Sequence, residues 1–510
     1  MATVTAFITP GSIGFDDQAL SNDNFWYMGH LSRDAVGSTY LGGNTSTNIT
    51  WGGAIQRFEG DFKRYDFRAP DPDALKDPVY SVTLFQSSNL ILDAGDPPIF
   101  RIDFDPGFTE EDLRRLGAAS DREAFGDLLY GNDVLHLTDG NDRVSGRAGY
   151  DWFFPGHGND TLDGGSGRDM VSYSGLEDIA GRGTDFFLNL DLTAGVVNVF
   201  GGETDQLISI ERATGSSYAD VMRGTNGNDD LRGIGDYDWF IATAGRDTID
   251  GGGGLDMITF IEAGHSGAPV VRDIFDGGGA PPTGRDVGGI ALDLENPSNN
   301  TGLASGLTLT SVERVTGSSH QDVFYGDAQQ NDFRGLGGYD WFVGSTGGRE
   351  RYFGGDGLDT VTYFQSTSGV SASLRNGAGL FGGQETGYGS AGDAVRDLYF
   401  EIENLVGTNF DDSLTGNNER NQLSGLDGDD FLFGYGGIDY LKGGAGNDTL
   451  NGGAGSDFAI FDGNRADYTI TRTSATDVTV TGADGTDSLI SVEYFQFDDE
   501  TANIWQFSIA

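Results

Sequence analysis

A nine-residue phrase recurs twenty-one times in this 510-residue chain, and its period limits what the chain can fold into. Gly443-Gly444-Ala445-Gly446-Asn447-Asp448-Thr449-Leu450-Asn451 shows it in full, and Gly452-Gly453-Ala454-Gly455-Ser456-Asp457-Phe458-Ala459-Ile460 follows without a gap. The pattern is Gly-Gly-x-Gly-x-Asp-x-U-x, with U apolar. The glycines permit a tight turn with inward carbonyls, in conformations that a side chain disfavours. The last three residues suit a short strand whose apolar residue faces a core. A single nonapeptide cannot bury that residue, so successive copies must stack.

The copies fall into four blocks, at 128–172, 215–259, 317–362 and 407–460. The segments between them end alike: Leu207-Ile208-Ser209-Ile210-Glu211, Leu309-Thr310-Ser311-Val312-Glu313 and Leu398-Tyr399-Phe400-Glu401-Ile402-Glu403. Each then opens the next block, through Gly215-Ser216-Ser217, Gly317-Ser318-Ser319 or Gly407-Thr408-Asn409. A larger unit is therefore itself repeated, and the intervening segments read as wide turns of one solenoid with loops leaving one side. Alternation in Phe187–Leu192 and Ile290–Leu294 predicts strands there. The glycine- and proline-rich stretch Gly277 to Gly289 predicts a flexible loop.

The solenoid needs caps, because its end turns expose an apolar face. Thr109-Glu110-Glu111-Asp112 and Ser120-Asp121-Arg122-Glu123 fit helix starts, so a short helical cap is expected over 109–127. Residues 1–108 lack the phrase and read as a small β-rich domain, with Trp26, Tyr27, Trp51 and Tyr65 in its core or stacking on sugar rings. Residues 461–510 alternate as strands around a hairpin at Asp484-Gly485-Thr486-Asp487 and form the other cap.

Formal net charge is −49, from 79 acidic against 30 basic residues. Nucleic acid and anionic membrane surfaces would repel such a chain, and no apolar run is long enough for a transmembrane helix. With no cysteine, neither a disulfide nor a thiol nucleophile is available. The carboxylates that recur in the turns are hard oxygen ligands suited to calcium.

At this point the chain resembles the RTX, or repeat-in-toxin, family of haemolysin-type calcium-binding proteins, whose signature is this nonapeptide. The resemblance implies an all-β fold: a parallel β-roll whose turns alternate between two edges, with calcium ions between successive turns of one edge. It implies as ligands the sixth residues Asp133, Asp142, Asp151, Asp160, Asp169, Asp220, Asp229, Asp238, Asp247, Asp256, Asp322, Asp340, Asp359, Asp412, Asp430, Asp439, Asp448 and Asp457, with turn carbonyls such as those of Gly444 and Gly446. Roughly a dozen Ca²⁺ would cancel about half of the charge. Asn331 and Asn421 replace Asp and would weaken their sites. Gly344 to Phe353 is one residue too long, with Arg349 and Glu350 where Asp belongs, so that a guanidinium replaces the ion there or the site is lost.

By the same resemblance the protein is secreted, extracellular or on a bacterial cell surface, and leaves through a type I secretion machinery that reads an uncleaved C-terminal signal. The tail from Asp498 to Ala510, acidic and then apolar, fits such a signal, whereas Met1 to Pro10 lacks the basic and apolar regions of a Sec signal.

Tyr150-Asp151-Trp152-Phe153, Tyr237-Asp238-Trp239-Phe240 and Tyr339-Asp340-Trp341-Phe342 are near-identical. The Phe holds the inward position, so Trp152, Trp239 and Trp341 should face outward as an interaction stripe, unless the intervening loops fold back over them. Enzyme signatures are poor. None of the five histidines forms His-Glu-x-x-His, and Gly164-Gly165-Ser166-Gly167 is only a degraded Gly-x-Ser-x-Gly inside a turn. His157 reads as a solvent-facing turn residue. The expected role is a structural, self-assembling component of a surface layer, matrix or filament. The alternatives are an adhesin that binds surface glycans through residues 1–108, or a hydrolase or epimerase.

Overall fold

The structure, a computed structural model, describes residues 132–509 apart from 138–140, 177–186, 262–279, 282–288, 348 and 376–386, and the backbone of strands within 2–104. The expected helical cap at 109–127, most of the Gly277–Gly289 loop, and Trp26, Tyr27 and Tyr65 lie outside the described residues; Trp51 is described by its backbone alone. The chain forms two compact units, Met1–Trp239 with Asp247–Gly254, and Phe240–Arg246 with Leu255–Ala510.

In the first unit, Val36–Leu41, Asn44–Trp51, Ala54–Glu59, Ser81–Gln86 and Pro98–Phe104 form an antiparallel meander that returns to Ala2–Ala6. Ala2–Ala6 then pairs in parallel with Val134–His136, the first strand of the repeats, with Thr3 opposite Val134. The N-terminal sheet thus continues into the repeats through main-chain hydrogen bonds.

The repeats build parallel stacks with a register of two nonapeptides. Trp152 lies opposite Val134, and Thr161 opposite Arg143, each 18 residues away. Consecutive nonapeptides therefore belong to opposite sheets, as a parallel β-roll requires. The middle residues of three repeat strands, Phe153, Leu162 and Val171, are fully buried between the sheets.

The second unit repeats this arrangement with larger side chains. Phe324, Phe333, Phe342 and Tyr352 interleave, with ring centroids 5.5 Å apart for Phe324–Phe342 and 5.6 Å for Phe342–Tyr352. The segments between blocks add antiparallel excursions. Leu188–Asp191 pairs with Val196–Val199, and Ser371–Ser373 with Gly387–Ala391, before the chain rejoins the roll. The end of the second unit is closed by Thr469–Arg472, Asp477–Thr481 and Thr486–Ile490, paired antiparallel. Among the described residues no helix is long and apolar enough to cross a membrane.

Candidate metal centre: the stacked turns

The sixth-position carboxylates lie inside the turns, and one hydrogen bond repeats along each edge. The N–H of the sixth residue donates to Oδ1 of the Asp 18 residues later: Asp133 to Asp151 at 2.9 Å, Asp151 to Asp169 at 2.8 Å, Asp412 to Asp430 at 2.8 Å and Asp430 to Asp448 at 2.9 Å. Asp142 and Asp160 continue the ladder on the other edge, and in the second block Asp220 with Asp238 and Asp229 with Asp247 form it on one edge each. Oδ1 thereby fixes the register between coils.

Oδ2 is left over. In Asp151, Asp160, Asp169, Asp340, Asp359, Asp430, Asp439, Asp448 and Asp457 it is buried with no hydrogen-bond partner in the protein. A buried carboxylate oxygen without a partner is costly, and its regular recurrence calls for a ligand that supplies positive charge. Around it the first turn glycine leaves room: a Cβ on Gly425 would run into Asp430 Oδ2 and the Gly443 carbonyl, and one on Gly335 into Asp340 Oδ2 and the Gly354 carbonyl. Carboxylate and carbonyl oxygens therefore converge beside these glycines on a space that a side chain there would fill.

The next residue shapes the turn. Gly165, Gly355, Gly444 and Gly453 have φ between +88° and +112°, and a Cβ there would strike the carbonyl of the turn 18 residues earlier, or 19 for Gly355. Arg147, Ile234, Leu336, Leu426 and Tyr435 occupy the same position with side chains and still hold φ between 67° and 98°. Gly446, at φ +151°, has its carbonyl against Gly485 of the following turn.

Electrostatics agree. Burial, followed by the neighbouring Asp205 carboxylate, pushes Asp160 up to about 9. Burial also raises Asp430 to about 8, with Asp412 and Asp448 adding repulsion. Asp448 and Asp457 rise to about 6, again chiefly by burial. Without a cation Asp160 and Asp430 keep their protons at neutral pH, while Asp448 and Asp457 give theirs up only near pH 6. Among the described residues no three His, Cys, Asp or Glu side chains gather as a ligand cluster, so most of the six to eight oxygens calcium takes would be main-chain carbonyls. The residues fit that ion: carboxylates with an unused oxygen, carbonyls beside them, and glycine-lined space. Bound calcium would neutralise the carboxylates and tie adjacent coils together.

Other sixth-position residues differ from the expectation. In Asp220, Asp322 and Asp412 both carboxylate oxygens are already taken by hydrogen bonds, from the N–H and hydroxyl of Ser216, Ser318 and Thr408. Thr225 does the same for Asp229. Asn331 and Asn421 are buried in similar turns, accepting from the N–H of Asp327 and Asn417. In the ten-residue turn Glu350, not Arg349, takes the buried position: Arg349 is exposed, and Glu350 accepts from Ser345 at 3.0 Å and donates its N–H to Asp397. The exposed Arg349 side chain therefore does not take the place of the buried sixth-position carboxylate.

The structure also gives a role to the closing Glu of the three recurring endings, which is preceded two residues earlier by Ser209, Ser311 and Glu401. Asp169, Asp256 and Asp359, the last sixth residues of their blocks, donate their N–H to Glu211, Glu313 and Glu403, where the ladder would otherwise need another Asp. Ser209, Ser311 and Glu401 hold φ between 51° and 54°. The carbonyls of Ser209 and Glu401 face Gly164 and Gly354, in the place of a turn carbonyl. Ser491-Val492-Glu493 is a fourth copy that sequence reasoning missed, although the same Ser-x-Glu signal is present; Glu493 accepts from Asp457 at 3.0 Å, and Ser491 has φ 52°.

The tryptophans do not form a uniform stripe. Trp152 is 42% exposed beside an exposed Tyr150, Trp239 is half-buried, and Trp341 is only 2% exposed. Trp341 packs with Ala291, Val323 and Val406, because Ala291–Asp293 from the preceding intervening segment extends its sheet. His157 is partly buried rather than solvent-facing, with Nδ1 3.1 Å from Glu203.

Fold and turns together define a parallel β-roll of the calcium-binding type. The family model of the RTX calcium-binding nonapeptide repeat matches residues 128–153, 136–171, 210–234, 233–260, 406–441 and 433–463, so the chain carries those repeats across 128–463. The third block lies between the matched segments, yet it forms the same coils. No curated protein matches the chain.

Proposed function

We propose that this is a secreted protein that folds when calcium fills its turns outside the cell, and that it acts there without enzymatic activity as a self-associating component of a surface layer, matrix or filament. The buried, unpartnered Oδ2 ladder carries the calcium half of this reading: it is costly without a cation and satisfied with one. Cytosolic calcium is too low for weak extracellular sites, which need about 10⁻⁴–10⁻³ M, so the charged chain would stay open for a type I export channel. The exposed Tyr150 and Trp152 support a contact surface in the first unit.

Circular dichroism and light scattering, in millimolar calcium and in excess chelator, test both halves. Calcium-dependent β signal with ordered assemblies is expected. Full β signal in chelator would defeat the switch. A calcium-loaded monomer retained on a glycan array would replace the structural role by adhesion.

A further inference from the structure

The turns fall into two chemical classes, and the residue after the first turn glycine separates them. Where it is left-handed, as at Leu336, Leu426, Tyr435, Gly444 and Gly453, the sixth-position carboxylate buries an Oδ2 without a partner. Where it is Ser or Thr, its own N–H reaches Oδ2 at 2.6–2.7 Å and its hydroxyl reaches the carboxylate at 3.0–3.1 Å. In three of the latter turns Oδ1 receives one more donor, the N–H of Leu188, Ile290 or Val370, from the strand of the preceding intervening segment.

We infer that this second position decides whether a turn takes calcium, and that the turns of Asp220, Asp322 and Asp412 fold without it. This inference rests on calcium filling the other turns. A sealed carboxylate has its lone pairs committed to charge-assisted hydrogen bonds, each stronger than a neutral one. An ion would have to break several of them, and the second-position N–H would point at it. These turns instead latch each intervening strand onto its block. Ser216, Ser318 and Thr408 are the specificity-determining residues, and the six consecutive residues from each first glycine to its Asp form a calcium-free version of the motif.

The ion count by native mass spectrometry tests this on the full chain in calcium. A variant carrying Asp220→Asn, Asp322→Asn and Asp412→Asn is expected to bind as many ions as the parent. One carrying Asp430→Asn, Asp439→Asn and Asp448→Asn should lose ions. Loss of ions in the first variant would overturn the inference. If that variant does not fold, Ser216→Ala, Ser318→Ala and Thr408→Ala together serve instead. Here a lower melting temperature with an ion count at or above the parent's supports the inference, since an unsealed carboxylate can take an ion, whereas an unchanged melting temperature or a lower ion count overturns it. If neither the parent nor any variant binds calcium, the reading of the other turns fails, a result distinct from either outcome.

Discussion

Ile234 shows at the residue scale how much the turn geometry dominates local preference. A β-branched residue at φ 98° is far from its preferred backbone, and left-handed conformations cost an L-residue about 1–2 kcal/mol. Its side chain is 40% exposed, so little packing is lost by removing it. Ile234→Gly is therefore expected to stabilise the calcium-loaded protein by about 0.5–1 kcal/mol after glycine's own entropy cost, measured by urea denaturation. The tryptophans differ in the same way. Trp341→Ala should destabilise the monomer by about 3–5 kcal/mol, since the ring is buried among Ala291, Val323 and Val406. Trp152→Ala should leave monomer stability within about 0.5 kcal/mol and reduce association, which paired melting and light-scattering measurements would separate.

At the scale of the element, a coil is complete only when its last turn has a partner 18 residues on. The closing Glu of each ending supplies that partner where a block stops. In the C-terminal segment Glu493 accepts the Asp457 N–H, and the Ser491 carbonyl lies against Gly452. Removing the acceptor leaves a buried N–H unsatisfied. Glu493→Ala should cost about 1–3 kcal/mol and speed hydrogen exchange in the last coil more than in the coils before it. Equal exchange along the block would show that the final turn needs no closing carboxylate.

For the whole molecule, the carboxylate ladder couples fold, protons and calcium. In the calcium-free fold the turn carboxyls titrate from about 6 at Asp448 to about 9 at Asp160, whereas in an unfolded chain they titrate near 4. Between these values the folded state binds more protons, so its stability falls as pH rises through that window. Chelated protein should keep more β signal at pH 5 than at pH 8. Calcium competes with those protons, so its affinity should rise over the same range. Circular dichroism in chelator and calcium titrations at the two pH values check both signs; opposite trends would mean that the buried carboxyls are not the coupled groups.

Much of this was legible in the sequence because the period fixes it. Nine-residue spacing dictates stacked turns, glycine at the first position leaves room beside the carboxylate, and Phe153 or Leu450 must face inward for any coil to have a core. Equivalent positions in a repeat need not have equivalent surroundings, and there only the tertiary structure decided. Asp220 and Asp448 share a sixth position, yet the incoming Leu188 N–H reaches the carboxylate of the first while the second keeps an open Oδ2. Trp152 and Trp341 share a motif, yet Trp341 is buried among Ala291, Val323 and Val406 while Trp152 is 42% exposed. Local pattern sets which atoms point into a turn; what reaches those atoms from elsewhere in the chain depends on how the intervening segments return, which no nine-residue window contains.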